Sequence, residues 1–441
     1  VPKMRGSVMT QRVVVVGGGI AGIQASLDLA DMGFEVHLVE RTPSIGGRMA
    51  QLDKTFPTND CSLCILSPKM IMCAGHENVR MHTYSEIESV SGEFPHFSVR
   101  IREKARYVNI AKCTGCGDCI AKCPAKAPSE FEAGLADRKA IYLPFPQAVP
   151  RKVTIDGEHC RMIKSGKCGI CKKVCKAGAI DYEQKDVHLD IDAAAVVLAP
   201  GFDPMDAGTL PQFGYGLCRD VVTSLQFERL LSASGPTGGH LVRPSDGREP
   251  KKLGFIQCVG SRDEKMFKYC SSVCCMYATK ESILAREHVQ DIASTIFFMD
   301  MRAVGKGFQE FVLRAERNYG VRYVRSRPAK VQQGPGGSGV LVTYETRGPA
   351  GEQVTEEFDM LVLCPALVPS KGTGPLAEML GVELDEDGFL KSRGVGSPVD
   401  SNVRGVLICG FASAPMDIPD SVSQASGVAA RVAELVQGAR T

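Results

Sequence analysis

The sequence predicts an α/β fold: two parallel-sheet domains of the dinucleotide-binding type, with a small cysteine-rich unit spliced into the first. Three observations carry this. The β-branched run Arg12–Val16 leads straight into GGGIAG, and IQASLDLADMG then has helical spacing. A second buried-strand pattern, Lys252 to Cys258, is followed by a helical stretch and by the strand pattern TIFFMD. Between two strand-like stretches lies Lys112 to Ile180, which holds eight of the eighteen cysteines. Short apolar runs bounded by turn residues read as strands covered on both faces, the mark of parallel sheets.

The first glycine turn carries nucleotide chemistry. Gly17, Gly19 and Gly22 form G-x-G-x-x-G in the strand–turn–helix setting that the motif requires. The glycines permit a tight turn and close approach of backbone to a pyrophosphate, while the helix N-terminus offers free N–H groups. The next strand, Glu35 to Val39, ends in Glu40. An acid there accepts ribose hydroxyls and repels a 2′-phosphate.

The cysteine-rich unit carries a different chemistry. Cys113, Cys116, Cys119 and Cys123 are spaced C-x2-C-x2-C-x3-C and followed by Pro124. This is the bacterial ferredoxin run, whose fourth cysteine serves the other cluster. Cys113, Cys116, Cys119 and Cys175 are therefore assigned to one [4Fe–4S] cluster, and Cys160, Cys168, Cys171 and Cys123 to a second. The second half is irregular, with seven residues between Cys160 and Cys168. Paired zinc sites are the competing reading, but the interlocked spacing has no use in a zinc knuckle. Residues 111–180 carry thirteen Lys or Arg against six Asp or Glu, which offsets anionic clusters.

Composition bounds the rest. A length of 441 residues suggests about two to four domains, and a net charge of +2 argues against nucleic acid or an anionic membrane as partner. No apolar run reaches the roughly eighteen residues of a spanning helix. The first ten residues, VPKMRGSVMT, lack the apolar core of a secretory signal. The cysteines are thus expected as thiolate ligands in a reducing cytoplasm, with any membrane attachment made through partner subunits. No Ser–His–Asp, hydrolytic metal or paired-carboxylate site competes, and His159 and His240 read as surface or packing residues.

The pattern E-R-x4-G-G-R, formed by Glu40, Arg41, Gly46, Gly47 and Arg48, resembles the FAD domain of glutathione reductase and thioredoxin reductase flavoproteins. The resemblance implies that Gly46, Gly47 and Arg48 lie along the flavin side of the cofactor. AAAVVLAPG, ending at Gly201, resembles the strand and turn leaving that domain. VRGVLICG, ending at Gly410, with a helix from about Ser421, resembles its closing motif. Phe411 stands where an acid usually follows, and Asp417 is not assigned that role. The fold class is thus a thioredoxin reductase-like flavoprotein with two dinucleotide domains and an inserted two-cluster ferredoxin domain.

Residues 10–110 and 183–250 are read as parts of the FAD domain, with 111–182 as the insertion. Ser89 to Asn109 reads as a hairpin before it, and Val187 to Ala199 as strand after it. The Gly-, Pro- and Ser-rich stretch 203–250 reads as a surface connection. Residues 251–370 form the second Rossmann-like domain and 371–441 close the first. Where the second glycine loop belongs, only Gly260 is left; Cys258, Cys270, Cys274 and Cys275 stand there instead. They are assigned to a third [4Fe–4S] cluster, against a reading as buried structural thiols. Lys280 is read either as a solvated helix lysine or as a group that approaches the flavin and stabilises its anionic reduced form. Cys61 and Cys64 form a C-x2-C that is a redox pair, a ligand pair or plain packing. Cys73 reads as core, and Cys218, Cys364 and Cys409 have no assigned role.

The stretches TNDCSLCILSPK, VTSLQFERLLSASGPTGG, IQCVGSRD, YCSSVCCMYATKES and DIPDSVSQAS, with the inserted ferredoxin, resemble the A-type flavin subunits of heterodisulfide reductases. The likeness extends to the A-like flavin subunits of quinone-interacting membrane-bound oxidoreductase and class II benzoyl-CoA reductase complexes. It implies one FAD, several [4Fe–4S] clusters and a place in a larger electron-transfer complex, and in some members the flavin bifurcates electron pairs. It supports the cluster at Cys258 and places Lys280 near the flavin. Longer relatives carry a further ferredoxin unit at the carboxyl end, so here one electron exit is expected to be missing or supplied by a partner. The expected function is that of an electron-transfer component with FAD and three [4Fe–4S] clusters, splitting two-electron chemistry into one-electron transfers. Expected partners are heterodisulfide reductase B- and C-like or membrane quinone-interacting subunits, or a second copy in a homodimer. Two other readings stand beside it: a stand-alone NAD(P)H-dependent disulfide or ferredoxin reductase, and a non-catalytic scaffold.

Overall fold

The valines of Arg12–Val16 are buried at the middle of a five-stranded parallel sheet. Its order is Val406–Ile408, Ala195–Leu198, Arg12–Val16, Glu35–Glu40, Val79–Thr83. The computed structural model describes residues 11–346 and 351–439; the VPKMRGSVMT segment read for a secretory signal lies outside these. Helices Ile20–Asp31 and Ile418–Gly438 pack together on one face of the sheet, where Ile23, Leu27, Val428 and Val432 enter the core. On the other face lies a three-stranded antiparallel sheet of Ser85–Glu93, His96–Glu103 and Val187–Ala193. The closing helix begins three residues before Ser421, with the Asp417 carboxylate accepting the Asp420 N–H at 2.9 Å.

The hairpin ends earlier than the sequence reading placed it. Its strands turn at Phe94–Pro95, and residues 104–109 leave the sheet. Alternation of apolar and polar residues continues past Glu103, which is why the run reads longer in sequence. Val187–Ala193 and Ala195–Leu198 are likewise two strands in two different sheets. Glu103 and Val187 are antiparallel partners, so the chain departs and returns at one point. A bridge between Val108 and Ile180 closes the neck. The intervening segment docks: the Ile45 N–H donates to the Val149 carbonyl at 3.0 Å, and Gln51 donates to the Phe131 carbonyl at 2.9 Å.

A second parallel sheet runs Val221–Thr223, Met360–Pro365, Lys252–Val259, Ala293–Phe298, Arg322–Arg325. This corrects the reading of 203–250 as a surface connection. Val221–Thr223 is the sheet's edge strand, and the helix Ser224–Leu231 is almost wholly buried, down to Glu228 and Arg229. A capping box between Thr223 and Gln226 starts that helix. Its charged residues suggested a solvent face, yet they are buried because each meets a partner. The ribbon Phe202–Pro204 with Leu367–Pro369 joins the two sheets. Among the described residues, no helix is long and apolar enough to cross a membrane.

Candidate functional site

The glycine turns meet at the carboxyl ends of the first sheet. The Gly17 N–H donates to the Val39 carbonyl at 2.8 Å, and its φ of +109° is one that side chains rarely adopt. A Cβ on Gly22 would collide with the Gly17 carbonyl oxygen, whereas one on Gly19 would stand in open space. Gly19 heads the Ile20–Asp31 helix, which has no side-chain cap and no acid in its first turn. The Gly46 N–H donates to the Gly18 carbonyl at 2.7 Å, and a Cβ on Gly47 would stand 2.8 Å from Gly19 Cα. Glu40 is buried, its carboxylate accepting from the N–H groups of Gly18 at 2.7 Å and Thr42 at 2.8 Å.

The remaining predicted residues rim the same place. Arg48 pairs with Asp203 at 2.5 Å and donates to Gln51 at 3.0 Å, while Arg41 lies 3.8 Å from Asp203. Gly201 takes φ +71° in the turn before Phe202. Gly410 takes φ +69°, and a Cβ there would stand 2.7 Å from the Ala21 side chain. The Gly410 N–H donates to Gln424 at 2.6 Å, a partner that sequence reasoning missed because it lies fourteen residues on. Asp417 is engaged as a helix cap, and Phe411 packs on Phe202 with ring centroids 4.3 Å apart. An uncapped helix N-terminus, a Cβ-free approach and a buried acid fit a dinucleotide such as FAD.

The cysteines gather in three groups. Cys123, Cys160, Cys168 and Cys171, drawn from both halves of the run, line one cavity with Pro124, Ile141, Ile155 and Met162. Cys113, Cys116 and Cys171 all lie near enough to Cys119 to raise its thiol, although burial, which pushes it to about 12, matters more. Cys175 ends the short helix Ile170–Val174 and packs on the same core. In the second sheet, Cys258 ends its strand at φ +56°, and Cys274 and Cys275 open the helix Cys274–His288. The Cys274 thiol hydrogen-bonds to both Cys258 and Cys275, and Arg262 lies beside Cys258 and Cys270. The bond from Cys274, then the Arg262 charge, lower Cys258 to about 7 against the opposing effect of burial. Among the described residues no three His, Cys, Asp or Glu side chains converge to hold a single metal ion. These all-thiol groups, fixed by short helices and turns, suit the wider ligand spread of a cluster. Cys73, Cys218, Cys364 and Cys409 are buried singly.

Lys280 is not a solvated helix lysine. It is 1% exposed, and its ammonium donates to the Glu228 carboxylate and, at 2.8 Å, to the Lys54 carbonyl. Lys54 follows the Gly46–Arg48 turn, so the ammonium reaches from the second sheet to the flavin-side loop. Arg229 next door pairs with Glu132 of the insertion at 2.9 Å and donates to the Gln51 carbonyl at 3.2 Å. Three parts of the chain are thereby locked at one buried polar junction. Its carboxylates outnumber the ammonium: burial and then the Glu228 charge raise both Asp53 and Glu281. One carboxylate oxygen of Glu281 has no partner.

A carboxyl raised on folding gives its full stability below the unfolded pKa and loses it as pH rises through the folded pKa. Glu281→Gln should therefore match the parent in acid and exceed it progressively toward alkaline pH. The gap should reach on the order of 1–2 kcal/mol, read by denaturant unfolding across pH. A constant gap would contradict the assignment.

The stretch from the first strand through both glycine turns, residues 12–63, matches a family described as FAD dependent oxidoreductase. The A-type iron-sulfur subunit of the CoB–CoM heterodisulfide reductase of Methanocaldococcus jannaschii is 48% identical, over 95% of this chain and 63% of its own. The corresponding A-type component of the H(2):CoB-CoM heterodisulfide,ferredoxin reductase of Methanothermobacter marburgensis is 45% identical, over 96% of this chain and 63% of its own. The chain thus spans less than two thirds of these relatives. A solved thioredoxin reductase from Lactococcus lactis superposes with a TM-score of 0.54 at 14% identity, over 97% of this chain and all of the other, and shows the shared fold. By homology along nearly its whole length, on a thioredoxin reductase-like fold, the chain belongs to the A-type flavin subunits of the heterodisulfide reductase family.

Proposed function

We propose that the chain is the FAD- and [4Fe–4S]-carrying electron-transfer part of a heterodisulfide reductase-like complex, dividing electron pairs among one-electron paths. When bound, FAD exchanges electrons in pairs or singly and the clusters carry them one at a time. Gly17, Gly19 and Gly22 would hold the pyrophosphate, Glu40 the ribose, and Arg41, Gly46, Gly47, Arg48, Gly201 and Gly410 the remainder. Cys113, Cys116, Cys119 and Cys175 would hold one cluster, and Cys123, Cys160, Cys168 and Cys171 another. Cys258, Cys270, Cys274 and Cys275 would hold the third. Lys280 keeps a positive charge dry and oriented at the junction of the flavin-side loop and the helix headed by Cys274 and Cys275. Arg161, Lys164, Lys167, Lys172, Lys173 and Lys176 are exposed around the second cysteine set with no acid among them, a face for acidic partner subunits.

The observation that carries this reading is the altered second turn. Cys258 occupies it in a left-handed conformation, and a Cβ at Gly260 would meet Met205 sulfur at 2.5 Å. Met205 fills the room that a nicotinamide nucleotide needs, and thiols stand in place of its glycines. Anaerobic mixing should therefore show the flavin untouched by NADH or NADPH but bleached by a low-potential one-electron donor. Rapid bleaching by NADPH would favour the stand-alone reductase instead. Methyl viologen radical is a suitable donor, and the clusters should respond alongside the flavin.

A further inference from the structure

Cys61 and Cys64 belong to none of these groups. Among the described residues they are the only disulfide-bonded pair, with Cα atoms 5.2 Å apart, and both are exposed. We propose that Cys61–Cys64 is a redox centre of its own, a solvent-facing disulfide that exchanges an electron pair with an external dithiol.

The local structure makes the two sulfurs unequal. Cys61 is the N-cap of the fourteen-residue helix Ser62–Gly75, and its sulfur accepts the Cys64 N–H at 3.1 Å. A thiolate at Cys61 therefore gains a hydrogen bond and the positive end of the helix, which lowers a cysteine pKa. The better-stabilised thiolate is the better leaving group. A thiolate of the dithiol attacks Cys64 Sγ, the Cys61–Cys64 bond breaks, and Cys61 leaves as thiolate. The second thiolate of the reductant then attacks its own sulfur in the mixed disulfide, closing the reductant's disulfide and freeing Cys64. Two electrons pass from reductant to protein, and the two protons of the dithiol end on Cys61 and Cys64.

The surroundings suit such an exchange. Ile65, Ile71 and Met72 on the same helix are 40%, 64% and 60% exposed, an apolar shelf beside the sulfurs. Inward, the pair is tied to the Lys280 junction. Cys61 bridges Lys54 in antiparallel fashion, the Ser62 N–H donates to the Asp53 carbonyl at 3.0 Å, and the Lys54 carbonyl holds Lys280. Opening the disulfide loosens the loop that supplies this carbonyl.

The test uses the full chain with its cofactors under anaerobic conditions. It is equilibrated with graded ratios of reduced to oxidised dithiothreitol, quenched with an alkylating mass tag and read by peptide mass. Cys61 and Cys64 should become labelled together, reversibly, with iron content unchanged. In the single variants, Cys61 of Cys64→Ser should alkylate at least about tenfold faster near neutral pH than Cys64 of Cys61→Ser. Labelling that ignores the ratio, equal rates in the two variants, or loss of iron from Cys61→Ser would each overturn the proposal.

Discussion

Gly22→Val should yield a chain that no longer retains flavin. Its side chain would drive into the Gly17 carbonyl oxygen, forcing the Ile20–Asp31 helix away from the glycine turn. Overpacking of this kind costs about 1–3 kcal/mol, or roughly a five- to hundredfold loss of affinity where the helix N-terminus must meet the pyrophosphate. Gly19→Ala is the informative companion. Its methyl enters open space, so the apoprotein should melt where the parent does, yet that space is the ligand's. Flavin affinity should fall about tenfold without loss of stability. Equilibrium dialysis with FAD and thermal unfolding of both variants separate the two effects. Unaltered affinity in Gly19→Ala would place the pyrophosphate elsewhere.

Lys280→Met should be the most destabilising single change at the junction. It strands the Glu228 carboxylate, 2% exposed, and leaves the Lys54 carbonyl without its donor. Breaking a buried pair by removing one partner costs about 3–5 kcal/mol, which for a domain of this size lowers the melting temperature by roughly 10 °C. Glu228→Gln in the same chain should restore much of that loss, because the uncompensated charge is gone. This double variant folds without the ammonium, so its flavin reduction isolates the electrostatic role of Lys280. A midpoint potential equal to the parent's would show that role to be structural.

The parallel strands and both glycine turns were legible because each is a local pattern: a short apolar run, then residues of special conformation. Glu40, Gly46 and Gly47 could be placed for the same reason. The crossing of Cys123 to the later cysteines was also readable, since the x3 gap and Pro124 carry it off its own loop. What was misread depended on contacts distant in sequence. Glu228 and Arg229 look like solvent residues until Lys280 and Glu132 are seen to meet them, and so 203–250 passed for a surface connection. Lys280 on spacing alone is any helix lysine; only the fold brings it to the Lys54 carbonyl. Gln424 was invisible because its partner is a backbone N–H rather than a motif residue.

The central claim is that one chain places a flavin and three thiolate-held iron–sulfur clusters in a single electron path. The direct measurement is iron, acid-labile sulfide and FAD on anaerobically prepared protein, with low-temperature electron paramagnetic resonance of the reduced sample. The account predicts about twelve iron, about twelve sulfide and about one FAD per chain, with spectra of interacting [4Fe–4S] clusters. Zinc in place of iron, or a colourless protein with free thiols, would contradict it.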